Sequence, residues 1–137
     1  MARKGTLESK VSNRIQRSRA SVFLRKDFND IGGYDQIGRV LRQLVKSKAL
    51  INLGYGTYAR AKKSKFSQKM VPEKSLQELA KEVMQKLGIQ TVPSTAEQAY
   101  NQGKSTQVPT GRVLGVQGRV VRKIGYDGKY ITFEKVA

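Results

Sequence analysis

The chain contains no cysteine and no histidine among its 137 residues. Their absence excludes zinc and iron–sulfur sites, thiol catalysis, a histidine-based catalytic triad and a disulfide scaffold. The carboxylates that could still hold a metal ion are Asp27, Asp30 and Asp35. At these spacings we interpret them as helix caps and turn residues rather than as Mg²⁺ ligands. We therefore expect no enzyme activity and no catalytic, cofactor or metal site.

Long apolar runs are also missing. The first five residues, Met-Ala-Arg-Lys-Gly, lack the hydrophobic region of a signal peptide, and no run of about 18 apolar residues occurs. We therefore expect a cytoplasmic, nucleoid-associated protein with no membrane partner.

Acidic residues are scarce. The sequence has 10 Asp+Glu against 27 Lys+Arg, which gives a net charge of +17. Residues 1–65 hold 16 basic and 4 acidic residues, so that most of the excess lies in the first half. Such an excess favours a polyanionic partner, because each phosphate that a protein neutralises releases condensed counterions.

The first half of the chain has the order of elements of a winged helix-turn-helix. Leu7, Val11 and Ile15 lie on one face of a helix that begins at Thr6 and ends near Arg17. The segments that follow are a short apolar strand, a polar helix, an amphipathic helix and a glycine hairpin, at residues 21–24, 25–31, 34–48 and 50–60. The fold class is therefore α+β, with a winged helix DNA-binding domain in residues 1–65.

The amphipathic helix is the predicted recognition helix in a DNA major groove. Its apolar positions follow the helical repeat, and Arg and Gln on its polar side suit guanine and adenine edges. The expected contacts on this helix are Tyr34, Gln36, Arg39, Arg42, Gln43 and Lys46. The hairpin, with its wing at residues 53–58, and the basic run after it are expected to contact phosphates through Tyr55, Thr57, Arg60, Lys62 and Lys63.

Residues 61–74 are predicted to form a basic linker, and residues 66–137 a small α+β region. Capping boxes predict helices at 75–88 and 95–102, and antiparallel hairpin strands are expected within 112–136, with Asp127-Gly128 as a turn. Further DNA backbone contacts are expected from Arg119, Arg122 and Lys123. The apolar stripe of the first helix either packs on these hairpins or mediates self-association on DNA or contact with a protein partner.

The chain resembles the AbiE-type antitoxins and related winged helix regulators of plasmids and mobile islands. The resemblance is sharpest over residues 21–60. It is carried by Phe23-Leu-Arg-Lys-Asp-Phe28, by Leu41-Arg-Gln-Leu-Val45 and by Leu53-Gly-Tyr-Gly-Thr-Tyr58. It implies that the protein represses transcription of its own operon by binding an operator in double-stranded DNA. It also implies a cognate nucleotidyltransferase-like toxin as partner, although the C-terminal region is smaller than in longer antitoxins.

Two other functions remain open at this stage. A basic RNA-binding accessory protein of ribosomal type fits the charge and the size. RNA modules usually display aromatic side chains for stacking, whereas most aromatic residues here lie at positions whose pattern predicts burial. A small metal-dependent nuclease is the third alternative.

Overall fold

The computed structural model describes residues 5–106, 112–120 and 122–136, and it shows an α+β protein with four α-helices in these residues. The chain divides into two compact units, Met1–Glu73 (unit 1) and Lys74–Ala137 (unit 2).

Unit 1 is built around a central strand. Its elements are α1 (Leu7–Arg17), β1 (Val22–Leu24), a 3₁₀ helix (Arg25–Phe28), α2 (Tyr34–Lys46), β2 (Leu50–Gly54), β3 (Thr57–Lys63) and β4 (Met70–Pro72). The strand order is β1-β3-β2, and all the pairings are antiparallel. The second half of β3 pairs with β4, Ala61 opposite Pro72 and Lys63 opposite Met70.

The helices of unit 1 share one apolar core with the sheet. Helix α1 begins where predicted, because the Thr6 hydroxyl accepts a hydrogen bond from the Ser9 amide at 3.1 Å. Its Val11 and the Phe28 side chain of the 3₁₀ helix are fully buried beside Ile37 of α2. Full burial of a side chain as large as Phe28 contributes about 1.5–3 kcal/mol of stability. The core therefore fixes α2 against α1 and the 3₁₀ helix. The face of α2 that points away from the core is exposed.

Three sequence predictions for unit 1 need correction. The polar helix expected at 25–31 is a 3₁₀ helix of four residues, Arg25–Phe28. The amphipathic helix stops at Lys46 rather than residue 48, because Lys48 has the left-handed φ of 69°. The linker predicted at 61–74 is wrong, since both of its ends form strands, and the domain boundary lies after Glu73 rather than after residue 65.

Unit 2 combines two helices with short strands. Its elements are α3 (Leu76–Leu87), β5 (Thr91–Val92), α4 (Thr95–Asn101), β6 (Val113–Val116), β7 (Gly125–Tyr126), β8 (Lys129–Tyr130) and β9 (Thr132–Lys135). Both predicted helices are confirmed to within a residue. Ser75 and Ser94 cap them, and Gly88 ends α3 with a φ of +75°.

The strands of unit 2 differ from the predicted antiparallel hairpins. Strand β6 lies between β5 and β9, and its pairing with β9 is parallel. In the described residues before the predicted turn at Asp127-Gly128, the hairpin strand is β7 alone, and Val121 lies outside the described residues. Strands β7 and β8 do form the expected hairpin, in which Asp127 and Gly128 both have positive φ. Helix α3 packs against β5 and β6 and buries Leu79 and Val83, so internal packing covers the centre of its stripe.

Candidate nucleic-acid interface

The exposed face of α2 carries three cations and two amides. Ile37, Val40 and Leu41 point into the core, and this burial turns the opposite side of the helix outward. The side chains on that face are Gln36, Arg39, Arg42, Gln43 and Lys46, all of them exposed. Within the part of the chain that the structure describes, no ion pair engages its three cations. Their charge is therefore available to a ligand.

Gln36 has a structural role in addition to its exposure. Its side-chain oxygen accepts a hydrogen bond from the backbone amide of Gly33 at 3.4 Å, at the first turn of α2. The distance is long, so this bond is weak. Gln36 therefore lies at the edge of the cationic face and weakly caps the N-terminus of α2.

Arg25 fixes the first turn of α2. Its guanidinium donates to the carbonyl oxygen of Tyr34 from Nε at 3.0 Å and from Nη2 at 2.6 Å. The same group lies over the Tyr34 ring, 3.4 Å from its centroid. Gly38 makes room for this arrangement, because a Cβ at that position would collide with the guanidinium. The side chain of Arg25 is only 12% exposed, so its charge stabilises the fold more than it serves a ligand.

The turn between β2 and β3 lies beside this first turn. It consists of Tyr55 and Gly56, and Gly56 has a φ of +64° that favours glycine. The hydroxyl groups of Tyr34 and Tyr55 are 2.8 Å apart, and their side chains are 53% and 79% exposed. The hydrogen bond between the two hydroxyls raises the pKa of the Tyr34 phenol. The first turn of α2 and the hairpin tip are thus joined by a contact between two exposed tyrosines.

Two of the predicted contact residues do not face solvent. Thr57 is fully buried, and its hydroxyl donates to the carbonyl of Tyr55 at 3.2 Å. Arg60 reaches inward instead of toward a ligand, and its Nη2 donates to the carbonyls of Ile15 and Ser18 at 2.7 Å each. These placements correct the prediction that Thr57 and Arg60 contact phosphates.

Arg60 joins several segments of unit 1. Besides the two carbonyls at the end of α1, it donates to the carbonyl of Ala20 from Nε at 3.3 Å and lies 3.6 Å from a Glu73 carboxylate oxygen. Its guanidinium carbon is also 5.3 Å from the centroid of the Phe23 ring. This role was not predictable from the sequence, because Arg60 begins a run of basic residues. Of the basic residues on β3, Lys62 and Lys63 are exposed, whereas Arg60 is half-buried.

The acidic residues of unit 1 have structural partners. Asp27 caps the 3₁₀ helix by accepting from the Leu24 amide at 2.9 Å, as the sequence reading proposed. Arg14 makes a bidentate ion pair with Asp30, in which Nη1 donates to Oδ1 at 2.6 Å and Nη2 donates to Oδ2 at 2.7 Å. This pair holds the pKa of the Asp30 carboxyl below its usual value. Asp35 is fully exposed, 3.9 Å from Arg25. Among the described residues, no group of carboxylates is arranged to hold a metal ion.

The predicted contacts near the C-terminus lie in unit 2, outside its regular strands. Arg119 and Lys123 are exposed, whereas Arg122 is half-buried. The Lys123 ammonium lies 4.3 Å from the centroid of the Tyr130 ring. None of the three lies in a described strand, so the prediction that they form the basic edge of a hairpin is wrong.

The aromatic residues depart from the sequence expectation of burial. Five large apolar side chains are exposed in the described residues, namely Tyr34, Tyr55, Phe66, Tyr100 and Tyr130. The charge pattern also holds a signal that composition alone hides: residues 36–72 contain no Asp or Glu and nine Lys or Arg. This segment includes most of α2 and the whole of β2, β3 and β4, so the cationic face of α2 and the hairpin lie in a stretch without acidic residues.

Comparison with known proteins identifies a family without an assigned activity. None of the helices in residues 5–106, 112–120 and 122–136 has the length and apolarity needed to cross a bilayer. No curated protein and no solved structure shows significant similarity to the chain. The family model that matches covers residues 10–137, nearly the whole sequence. The chain therefore belongs to the family described as "Family of unknown function (DUF6088)".

Proposed function

We propose that unit 1 is a winged helix-turn-helix that binds double-stranded DNA in a sequence-specific manner. The observation that carries this proposal is the exposed, unpaired cationic face of α2 beside the tyrosine-bearing turn between β2 and β3. Helix, strand, 3₁₀ helix, α2 and hairpin follow one another in the order of such a domain, and the core anchors the buried face of α2. This order supports the role of α2 as the recognition helix.

The proposed division of labour follows from side-chain chemistry. Arg39 and Gln43 have forked donor or acceptor groups that match base edges in the major groove. Arg42 and Lys46 supply charge to the phosphates, as do Lys62 and Lys63 of β3. Arg25 acts indirectly in this scheme, because it holds the first turn of α2 in place.

The proposed biological role is transcriptional repression of the protein's own operon. The resemblance to AbiE-type antitoxins supports this role, and it adds a nucleotidyltransferase-like toxin as a proposed partner. A repressor of this kind associates with the nucleoid. The exposed cations Arg119 and Lys123 of unit 2 supply additional phosphate contacts or support pairing of two copies on the operator.

The test compares DNA from upstream of the gene with a duplex of the same length and scrambled sequence. Arg39→Ala and Gln43→Ala should each weaken binding to the upstream DNA by about 1–3 kcal/mol if each makes a bidentate base contact, and should change binding to the scrambled duplex much less. Fluorescence anisotropy at several salt concentrations measures both affinities. Equal losses on the two duplexes would remove the base-reading role and leave phosphate contacts alone.

RNA binding is a second candidate, and the exposed aromatic side chains favour it. Tyr34 and Tyr55 are both exposed, and the Arg25 guanidinium lies over the Tyr34 ring, an arrangement of aromatic and cationic groups that suits binding of unpaired bases. Competition between the upstream duplex and a structured RNA of equal charge separates the two functions. Preference for the RNA at all salt concentrations would replace the DNA proposal.

A further inference from the structure

The loop between β3 and β4 presents a phenylalanine to solvent. Phe66 is 99% exposed, more than any other large apolar side chain in the described residues. An aromatic side chain offers about 150–250 Å² for burial against a partner. The fold of unit 1 therefore does not use this ring for internal packing, and the ring is free to contact a partner.

The loop is held by its own hydrogen bonds, so the exposure of Phe66 is built into it. The Ser64 amide donates to the carbonyl of Lys69 at 2.8 Å, and the Ser64 hydroxyl accepts from the amides of Phe66 and Ser67 at 3.3 and 3.4 Å. Gln68 has a φ of +62°, which lets the chain turn back toward β4. Backbone bonding rather than packing of the phenyl ring specifies this turn.

Positive charge surrounds the aromatic tip. Lys62, Lys63, Lys65 and Lys69 are all exposed within four residues of it along the chain. The tip also belongs to the stretch of residues 36–72 that contains no carboxylate. An apolar wedge flanked by cations matches the chemistry of proteins that insert a side chain between base pairs while neutralising the adjacent phosphates.

We propose that Phe66 inserts between stacked base pairs of double-stranded DNA and that the flanking lysines bind the phosphates on either side. This inference rests on the proposed function, because it adds a second contact to the same ligand. Duplex DNA is the favoured occupant because the tip continues the cationic segment that begins on α2. An anionic lipid surface would also attract lysines and a phenylalanine, and the experiment distinguishes the two.

The first experiment uses the lack of tryptophan in the chain. In a Phe66→Trp variant the introduced indole reports on position 66 alone. Binding of an unlabelled duplex of mixed sequence at low salt should quench the emission of this indole, because the indole stacks on bases. A Tyr100→Trp variant is the matched control, since Tyr100 is an exposed aromatic residue on α4 of unit 2. The same DNA should not quench the emission of an indole at position 100. Vesicles of anionic phospholipid form the third arm.

The second experiment measures the contribution of the ring to affinity. Base–aromatic stacking is worth about 1–3 kcal/mol per base, which converts to a loss of about 5-fold to 150-fold. Insertion into a duplex also costs unstacking, so Phe66→Ala should weaken binding by about 5-fold to 10-fold, near the lower end. Tyr100→Ala should leave affinity unchanged. Replacing both Lys62 and Lys63 by Gln should reduce the slope of log affinity against log salt concentration by about one to two units.

The outcomes separate this inference from the proposed function. Anisotropy of a labelled duplex reports binding by the whole chain, independently of the indole. Binding together with quenching at position 66 supports the wedge. Binding without quenching, or with full affinity of Phe66→Ala, overturns the wedge and leaves the recognition helix standing. No binding of any duplex overturns both, and a blue shift with vesicles but no response to DNA assigns the tip to a lipid surface.

Discussion

Replacement of Arg60 by alanine should destabilise unit 1 while leaving its cationic surface in place. In the folded chain the guanidinium bonds to the carbonyls of Ile15, Ser18 and Ala20. Without it, the carbonyls of Ser18 and Ala20 lose these hydrogen bonds in a partly buried place, the Ile15 carbonyl keeps the Ser18 amide at 3.3 Å, and Glu73 loses its cation. The substitution thus removes a link between α1, β3 and the segment after β4.

The expected loss of stability follows from these contacts. Hydrogen bonds to charged groups contribute about 1.5–3 kcal/mol each, and an unsatisfied buried carbonyl costs about 1–3 kcal/mol. The Arg60 side chain is 24% exposed, so water replaces part of the lost bonding. We therefore expect a decrease of about 2–4 kcal/mol in the free energy of unfolding, a large fraction of the 5–15 kcal/mol that is typical of domains. Arg60→Lys should recover only part of it, because an ammonium cannot fork to the same carbonyls.

Urea unfolding followed by circular dichroism measures this loss, and hydrogen exchange along α1 and β3 assigns it to unit 1. Arg42→Ala is the matched control, since it removes an exposed cation and should change stability by less than about 0.5 kcal/mol. Under the proposed function, DNA affinity should respond in the opposite way, with a larger direct loss for Arg42→Ala than for Arg60→Ala under conditions where both variants are folded. Unchanged stability of Arg60→Ala together with a lower DNA affinity would refute the structural role of Arg60.

Three further outcomes follow from the structure. Asp30→Asn removes the pair with Arg14. Since that pair lowers the pKa of Asp30, its stabilisation is complete above the unfolded-state pKa and is lost as the pH falls through the folded-state value, so urea unfolding of the two proteins should converge at acidic pH. Tyr55→Phe removes the hydrogen bond that raises the pKa of Tyr34, and a ¹³C NMR titration should show that pKa falling; an unchanged value contradicts the contact. Ser75→Ala removes the N-cap of α3 and should cost about 1 kcal/mol, seen as faster hydrogen exchange in α3 but not in α1.

The helices could be predicted from the sequence because their signals are local. The capping residues Thr6, Ser75 and Ser94 and the apolar repeat of α2 are written in consecutive residues, and the structure agrees with them to within two residues. Strand pairing depends on residues far apart in the chain. The parallel partnership of β6 and β9 spans about 20 residues, and nothing in either strand alone specifies its direction. The short β4 and β5 lacked a pattern long enough to recognise.

The candidate site could also be predicted only in part from the sequence. The exposed face of α2 was predictable, because helical periodicity separates its cations from its apolar residues. The roles of Arg25 and Arg60 were not, since an arginine that bonds to distant carbonyls has the same sequence context as one that faces solvent. A glycine in the middle of an amphipathic helix, Gly38, was the one local sign that something approaches α2 closely.

The parallel pairing of β6 with β9 has a consequence for how the chain folds during synthesis. Unit 1 completes its sheet once Met70–Pro72 has left the ribosome, so its helices and strands can assemble before unit 2 is made. Strand β6 must wait for the hairpin of β7 and β8 and then for Thr132–Lys135 before its second edge is paired. The nascent chain therefore passes through a stage in which unit 1 is folded while β6 is still an open edge.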